Sequence, residues 1–213
     1  QRLPQTVTFS EPQGIFTAAF TLTLSGNLAG QTIRYTTNGA EPSFTGGTLY
    51  TNPVTVASSS HLRARVFDAA GRSGVTETAQ YTFTATDAAT RSFATSLPIL
   101  VLRETDPVWN GIPFNEWDNN YNYVACSAHF IEPAGGTACL TSAPALTSRA
   151  GMHVRGSSSS GFPKKPYALT FWGEDNDDKK VGISGFPKGS DFALITCYNY
   201  DRTYMHDALL FDL

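Results

Sequence analysis

Ile33-Arg34-Tyr35-Thr36-Thr37-Asn38-Gly39-Ala40-Glu41-Pro42 is the stretch from which the fold follows. Ile33, Tyr35 and Thr37 alternate with Arg34 and Thr36, the period of a strand with one apolar face. Asn38-Gly39 then supplies a turn, because both residues tolerate left-handed backbone and the Asn side chain can bond the backbone two residues on. Working outward, the same period returns in Phe20, Leu22 and Leu24 and in Leu62, Ala64 and Val66, the latter alternating with Arg63 and Arg65. Each run is expected to bury one face and wet the other, as antiparallel strands do. Ser25-Gly26-Asn27, Thr45-Gly46-Gly47, Asn52-Pro53 and Ala70-Gly71 punctuate them. Short strands at this spacing predict an immunoglobulin-like β-sandwich over residues 1–84.

The composition agrees with a mainly β chain. Of 213 residues, 41% are hydrophobic and only 15% charged, against roughly 25% charged in an average soluble domain. The net charge of -3 gives no electrostatic case for a nucleic-acid partner, and no apolar run is long enough for a membrane span. The chain opens on Gln1, without a basic-then-apolar leader, so the expectation is an excised piece of an exported protein, extracellular or at the cell surface. Residues 201–213 read as a helix just begun, with Met205, Leu209 and Leu210 at helical spacing, which suggests sequence beyond Leu213.

Residues 85–96 are small and polar and read as a linker. Leu97 to Leu102 opens a second unit, 97–213, with a buried strand. Residues 104–123 look like a long surface loop pinned by Phe114, Trp117, Tyr121 and Tyr123, and Cys126–Phe130, Thr137–Thr141 and Gly151–Arg155 like further strands. Cys126 and Cys139 flank the turn-like Glu132-Pro133-Ala134-Gly135-Gly136. A disulfide between them would be worth about 3 kcal/mol in the chain-entropy model; the alternative is buried thiols, as Cys197 reads within Phe192–Cys197. Glu174-Asp175-Asn176-Asp177-Asp178 lacks EF-hand spacing and is expected to be a solvated hairpin tip rather than a calcium loop. His61, His129 and His206 are isolated and read as structural; no pattern for a metal site or a hydrolase triad is present.

Two resemblances follow from ordered motifs. Val7-Thr8-Phe9-Ser10, Gly14-Ile15-Phe16, the Ile33–Pro42 stretch and Leu62-Arg63-Ala64-Arg65 resemble the chitobiase/β-hexosaminidase C-terminal-type domain, with Asn38 where that family usually has Asp. The resemblance implies a spacer, or a sugar-binding accessory module for which Phe44 and Tyr50 are the candidate aromatics. Further on, Leu97-Pro98-Ile99, Arg155-Gly156-Ser157-Ser158-Ser159, Phe162-Pro163-Lys164-Lys165-Pro166-Tyr167, Ser190-Asp191-Phe192-Ala193-Leu194 and Asp201-Arg202-Thr203 resemble, in that order, the N-terminal part of the CotH kinase-like family. Phe192 stands where that family has Trp, and His206-Asp207 where it tends to show Arg-Asn.

That resemblance implies an incomplete, β-rich α+β kinase-like N-terminal lobe and an ATP-dependent, secreted protein kinase in a longer parent. Arg155, Gly156, Ser158, Lys164 and Lys165 would face the ATP phosphates. A Gly-Ser loop offers amides and hydroxyls to phosphate oxygens, and a lysine on the next strand adds positive charge. If Lys164 and Lys165 lie in a strand they face opposite sides, so only one enters the site. No catalytic residue is expected within this chain, because the metal-holding and positioning acids of phosphoryl transfer fall later in the family; Mg and ATP belong to the complete parent. The other readings are a non-enzymatic structural, adhesive or filament component with extracellular protein partners or its own subunits, and a glycan-binding module.

Overall fold

The computed structural model describes residues 2–104, the backbone of 108–109 and 112–113, and residues 122–195. The chain is mainly β, with multiple antiparallel sheets and one short helix among the described residues. The first region carries β1 (Thr8–Phe9), β2 (Gly14–Phe16), β3 (Phe20–Leu22), β4 (Leu24–Ser25), β5 (Thr32–Thr36), β6 (Thr48–Leu49), β7 (Val54–Val56), β8 (Ser60–Phe67) and β9 (Glu77–Phe83). Five of these form one sheet in the order β2-β9-β8-β5-β6, antiparallel except for the β2–β9 pair. The β1–β4 and β3–β7 pairs supply Leu24, Leu22 and Val56 to a core with Ile33, Leu62, Ala64, Val66 and Tyr81 of the sheet. Fully burying each such aliphatic side chain contributes about 1.5–3 kcal/mol.

The turn expected at Asn38 forms as read. Asn38 Oδ1 accepts from the Ala40 amide at 3.2 Å, and Gly39 takes φ +81°. Glu41, in the same turn, pairs with Arg65 at 2.8 Å and accepts from Thr76 Oγ1 at 2.9 Å, which fixes the turn to β8 and to the approach of β9.

The stretch 85–96 is more ordered than its composition suggests. Asp87 caps α1 (Ala88–Ser92) by accepting from the Thr90 amide at 2.9 Å. β10 (Ala94–Thr95) then pairs with β15 (Ala138–Cys139). The second region contributes β11 (Ile99–Glu104), the short ladder β12 (Val108–Trp109) with β13 (Ile112–Pro113), β14 (Val124–Ile131), β16 (Leu146–Val154), β17 (Tyr167–Trp172) and β18 (Asp191–Leu194). β11-β14-β16-β17-β18 is a five-stranded antiparallel meander. Phe114, Trp117, Tyr121, Cys197 and the helix expected at 201–213 lie outside the described residues. Tyr123 does pin its segment, meeting the His153 ring at 4.7 Å and Trp172 at 6.1 Å.

The register gives the second sheet two unlike faces. Leu100, Leu102, Cys126, Ala128, Phe130, Ala150, Met152, Leu169, Phe171, Phe192 and Leu194 share one, and their core also takes in Val181 and Ile183. Ser127, His129, Arg149, Gly151, Thr170 and Asp191 share the other. The disulfide expectation is corrected here. Cys126 and Cys139 are free thiols. Cys126 is fully buried in the sheet interior opposite Glu104 and Ala150, while Cys139 sits opposite Ala94 in a separate ladder.

Candidate functional site: the 155–166 loop and the buried polar seam

The candidate phosphate loop joins β16 to β17. The Arg155 amide donates to the Pro166 carbonyl at 3.0 Å and closes the loop at its neck. Gly156 takes φ +87°, a left-handed conformation that favours glycine; a Cβ there would also lie 2.1 Å from Ser159 Oγ, a side-chain end that can rotate away. Ser157 follows with φ -79°, ψ -81° and leads into a single 3₁₀ turn, Ser158–Gly161. Ser160 Oγ donates to the Ser157 carbonyl at 2.6 Å and the Phe162 amide to the Ser159 carbonyl at 3.1 Å. The amides of Gly156, Ser157 and Ser158 donate to no acceptor among the described residues, and Ser157 and Ser158 are exposed. Successive unpaired amides in a turn can together face an anion, as in an anion-binding nest.

The lysines are placed differently from the strand reading. Both precede β17, in the returning limb of the loop. Lys165 is half-buried, and its Nζ donates to the Ser160 carbonyl at 2.7 Å, so it braces the 3₁₀ turn. Lys164 is exposed. Arg155 is half-buried, with no side-chain bond or ion pair among the described residues. It does not bridge to Asp191. That carboxylate accepts from Thr170 Oγ1 at 2.6 Å and Ser190 Oγ at 2.8 Å, two bonds that hold its pKa below the usual carboxylate range. The structure therefore brings Arg155, Gly156, Ser158 and Lys165 into one closed loop, with Lys164 on its solvent side.

The second polar constellation was not expected. The outer face of the first sheet carries His61 and Arg63 on β8 and Thr78, Gln80 and Thr82 on β9. It lies against the polar face of the second sheet. Thr82 Oγ1 meets Ser127 Oγ at 3.1 Å and His129 Nε2 at 2.7 Å, and His129 Nδ1 meets Thr147 Oγ1 at 3.0 Å. Arg63, expected on a wetted face, is 4% exposed.

The 173–177 turn clasps this seam through Glu174 and Asn176, while residues 175–178 of the tip are exposed, in keeping with the solvated-tip reading. Arg63 Nη2 donates to the Glu174 carbonyl at 2.6 Å and lies 3.5 Å from its carboxylate, which also accepts from Thr78 Oγ1 at 2.5 Å. Arg149, 6% exposed, donates through Nη1 to the carbonyls of Gly173 at 2.5 Å and Glu174 at 2.8 Å, and through Nη2 to Asn176 Oδ1. Asn176 adopts φ 62°, which an Asn tolerates, and thereby aims its side chain inward. Asp175, Asp177 and Asp178 stay exposed, and no group of three His, Cys, Asp or Glu side chains among the described residues could hold a metal ion.

Burial sets the electrostatics of the seam. Desolvation, then the nearby Arg149 and Arg63 charges, lower the His61 pKa to about 3, and desolvation lowers that of His129 to about 4. Both imidazoles are neutral. Burial and the neighbouring Arg63 lower Arg149 to about 10, a cost that the clasped carbonyls and Glu174 oppose. A cavity of about 10 Å³ beside His61, lined by Ser60, Tyr81 and Ser127, has room for one water. A polar cleft of about 280 Å³ opens where Gln80, Thr147, Trp172, Glu174 and Lys179 meet. Sequence reasoning missed the seam because its partners lie far apart in the chain. The readable signal was arginine at 63 and 149 inside otherwise strand-like runs.

Of the candidate sugar-binding aromatics, Tyr50 packs against the first core. Phe44 is 44% exposed and borders a shallow groove with Arg34, Thr45 and Asp68.

Taken together, these features define a β-rich chain in which two sheet-based regions meet through a buried polar seam, with a glycine-serine loop at one end of the second. Residues 11–78 match the family model of the chitobiase/beta-hexosaminidase C-terminal domain. Residues 152–213 match that of the CotH kinase protein family, so the chain holds part of such a domain. No curated protein matches the chain, and no solved structure matches it.

Proposed function

We propose that the chain joins an immunoglobulin-like sandwich, residues 1–84, to the N-terminal lobe of an ATP-dependent protein kinase, residues 97–213, and that the 155–166 loop holds the nucleotide phosphates. The observation that carries this reading is the position of the loop within the stretch that matches the CotH family, with three consecutive amides unpaired among the described residues and Gly156 at positive φ. The Gly156–Ser158 amides and the Ser158 hydroxyl would donate to phosphate oxygens, Arg155 would add charge, and Lys165 would keep the turn in shape through Ser160. Mg-ATP would supply the transferable phosphoryl group. The acids that hold the metal and position an acceptor hydroxyl are assigned to the rest of the parent protein. The sandwich acts as a fixed spacer, since its outer face is spent on the seam. An exported location with an extracellular protein partner goes with this reading.

The test is thermal stabilisation of the full-length protein by Mg-ATP. At a hundred times Kd, binding adds about 2.7 kcal/mol to stability. Gly156→Ala is expected to abolish the shift while leaving the melting of the first region unchanged. A full-length protein that Mg-ATP does not stabilise would remove the kinase reading and leave the structural, adhesive one.

A further inference from the structure

Two opposite needs stand unmet on the wall of the polar cleft beside the seam. The cleft, about 280 Å³, is shared by both regions: Gln13, Thr78 and Gln80 come from the first, Arg149, Trp172 and Lys179 from the second. Gln80 is 1% exposed, and its Oε1, an acceptor, bonds nothing among the described residues. Arg149 uses Nη1 and Nη2 on the 173–177 turn, but its Nε–H, a donor, bonds nothing there either. Roughly nine in ten buried polar groups are paired in folded proteins, so two such atoms on residues of one cleft call for an occupant.

The occupant's chemistry follows from that pair. A phosphate or carboxylate can only accept and would meet the Glu174 carboxylate, while an ammonium can only donate and would meet Lys179. A hydroxyl does both from one oxygen. Trp172 supplies the apolar part. It stands opposite Arg149 in the β16–β17 register, on the polar face of its sheet. Its ring lies across Gly151, where a Cβ would come within 2.0 Å of Cζ2, and it meets Tyr123 edge-on at 6.1 Å. An indole held in this way offers a flat, electron-rich surface to the C–H groups of a ring ligand. Gln13 is exposed and donates to the Thr147 carbonyl over 3.5 Å, a bond weak enough to be exchanged for one to a ligand. The volume lies just under the about 300–1,000 Å³ of small-molecule pockets, which suits a single ring. We propose that the cleft binds one ring of a neutral saccharide, stacked on Trp172 and with its hydroxyls on Gln80, Arg149 and Gln13. The site belongs to neither region alone, is separate from the Phe44 groove and the 155–166 loop, and does not depend on the kinase reading.

Saturation-transfer NMR on the full-length protein tests this, with the methyl glycosides of glucose, galactose, mannose and N-acetylglucosamine as probes. At least one is expected to bind with a Kd near ~1 mM, as the roughly dozen heavy atoms of a single ring allow. Gln80→Leu removes the amide at nearly constant volume and should weaken that glycoside at least ~10-fold, with stability kept or raised because an unpaired buried acceptor is gone. Trp172→Leu, which removes the flat surface, should weaken it by a similar factor. Gln13→Ala, at an exposed position, should weaken it about 3-fold, which covers the case in which a buried variant misfolds. Phe44→Ala should change nothing. No transfer to any of the glycosides at about ten times the expected Kd leaves the two atoms to ordered water and overturns the proposal. Binding that survives both Gln80→Leu and Trp172→Leu, or that Phe44→Ala abolishes, overturns it as well. Tighter binding of glucuronate than of the glucoside would also overturn it, assigning the cleft to an anion.

Discussion

Replacing Arg149 by Met keeps most of the buried stem and removes the guanidinium. The Gly173 and Glu174 carbonyls and Asn176 Oδ1 then lose their donor within a seam where Arg149 was 6% exposed. Hydrogen bonds from a charged donor are worth about 1.5–3 kcal/mol each. Three such bonds overstate the loss, because Arg149 is buried beside Arg63 at a cost that already lowers its pKa to about 10, and Met recovers apolar contact. The expected net loss is about 3 kcal/mol, a large part of the 5–15 kcal/mol typical of a folded protein. In a chain of this size it lowers Tm by about 6–12 °C.

Arg63 holds the same Glu174 carbonyl, so the two arginines must be coupled. Once Arg149→Met frees the turn, adding Arg63→Met should cost at least ~1 kcal/mol less than it does alone. Urea titration followed by tryptophan emission reads both quantities, with Trp172 adjoining the clasped turn. A loss below about 1 kcal/mol, or strictly additive losses, would refute the claim that the 173–177 turn locks the two regions together.

Two further predictions concern the same surfaces. His61 and His129 are neutral when folded and protonate readily once unfolded, so the unfolded chain binds more protons below pH 6.5. Stability is complete above that pH and falls by about 1.4 kcal/mol per pH unit per histidine as pH drops toward 4 and then 3. Asp191, with its lowered pKa, adds to the loss at the acid end. Urea midpoints between pH 7.5 and 4.5 at fixed ionic strength check this, and a flat profile contradicts it. Gly151→Ala places a Cβ 2.0 Å from the Trp172 ring, and no backbone strain is involved. The indole must move, at a cost of about 1–3 kcal/mol. A red shift in tryptophan emission should accompany the loss, and an unchanged spectrum with unchanged stability would show that the ring does not lie across the strand.

The sequence by itself determined the strands of the first region, the Asn38 turn and the kinship of both halves. Alternation, turn chemistry and ordered motifs are local, and local sequence specifies them. It also marked Gly156, whose need for glycine the loop geometry then explained. The short helix within 85–96 was not legible because a helix of one turn hung on a single Asp87 cap leaves almost no periodic trace. The disulfide was misjudged because two cysteines that flank a turn can still belong to different ladders. Tertiary structure alone decided the seam. Alternation says that Arg63 and Arg149 leave their own cores, but not whether they meet water or each other's sheet. That answer required two polar faces, one from each half of the chain, to come within hydrogen-bonding distance.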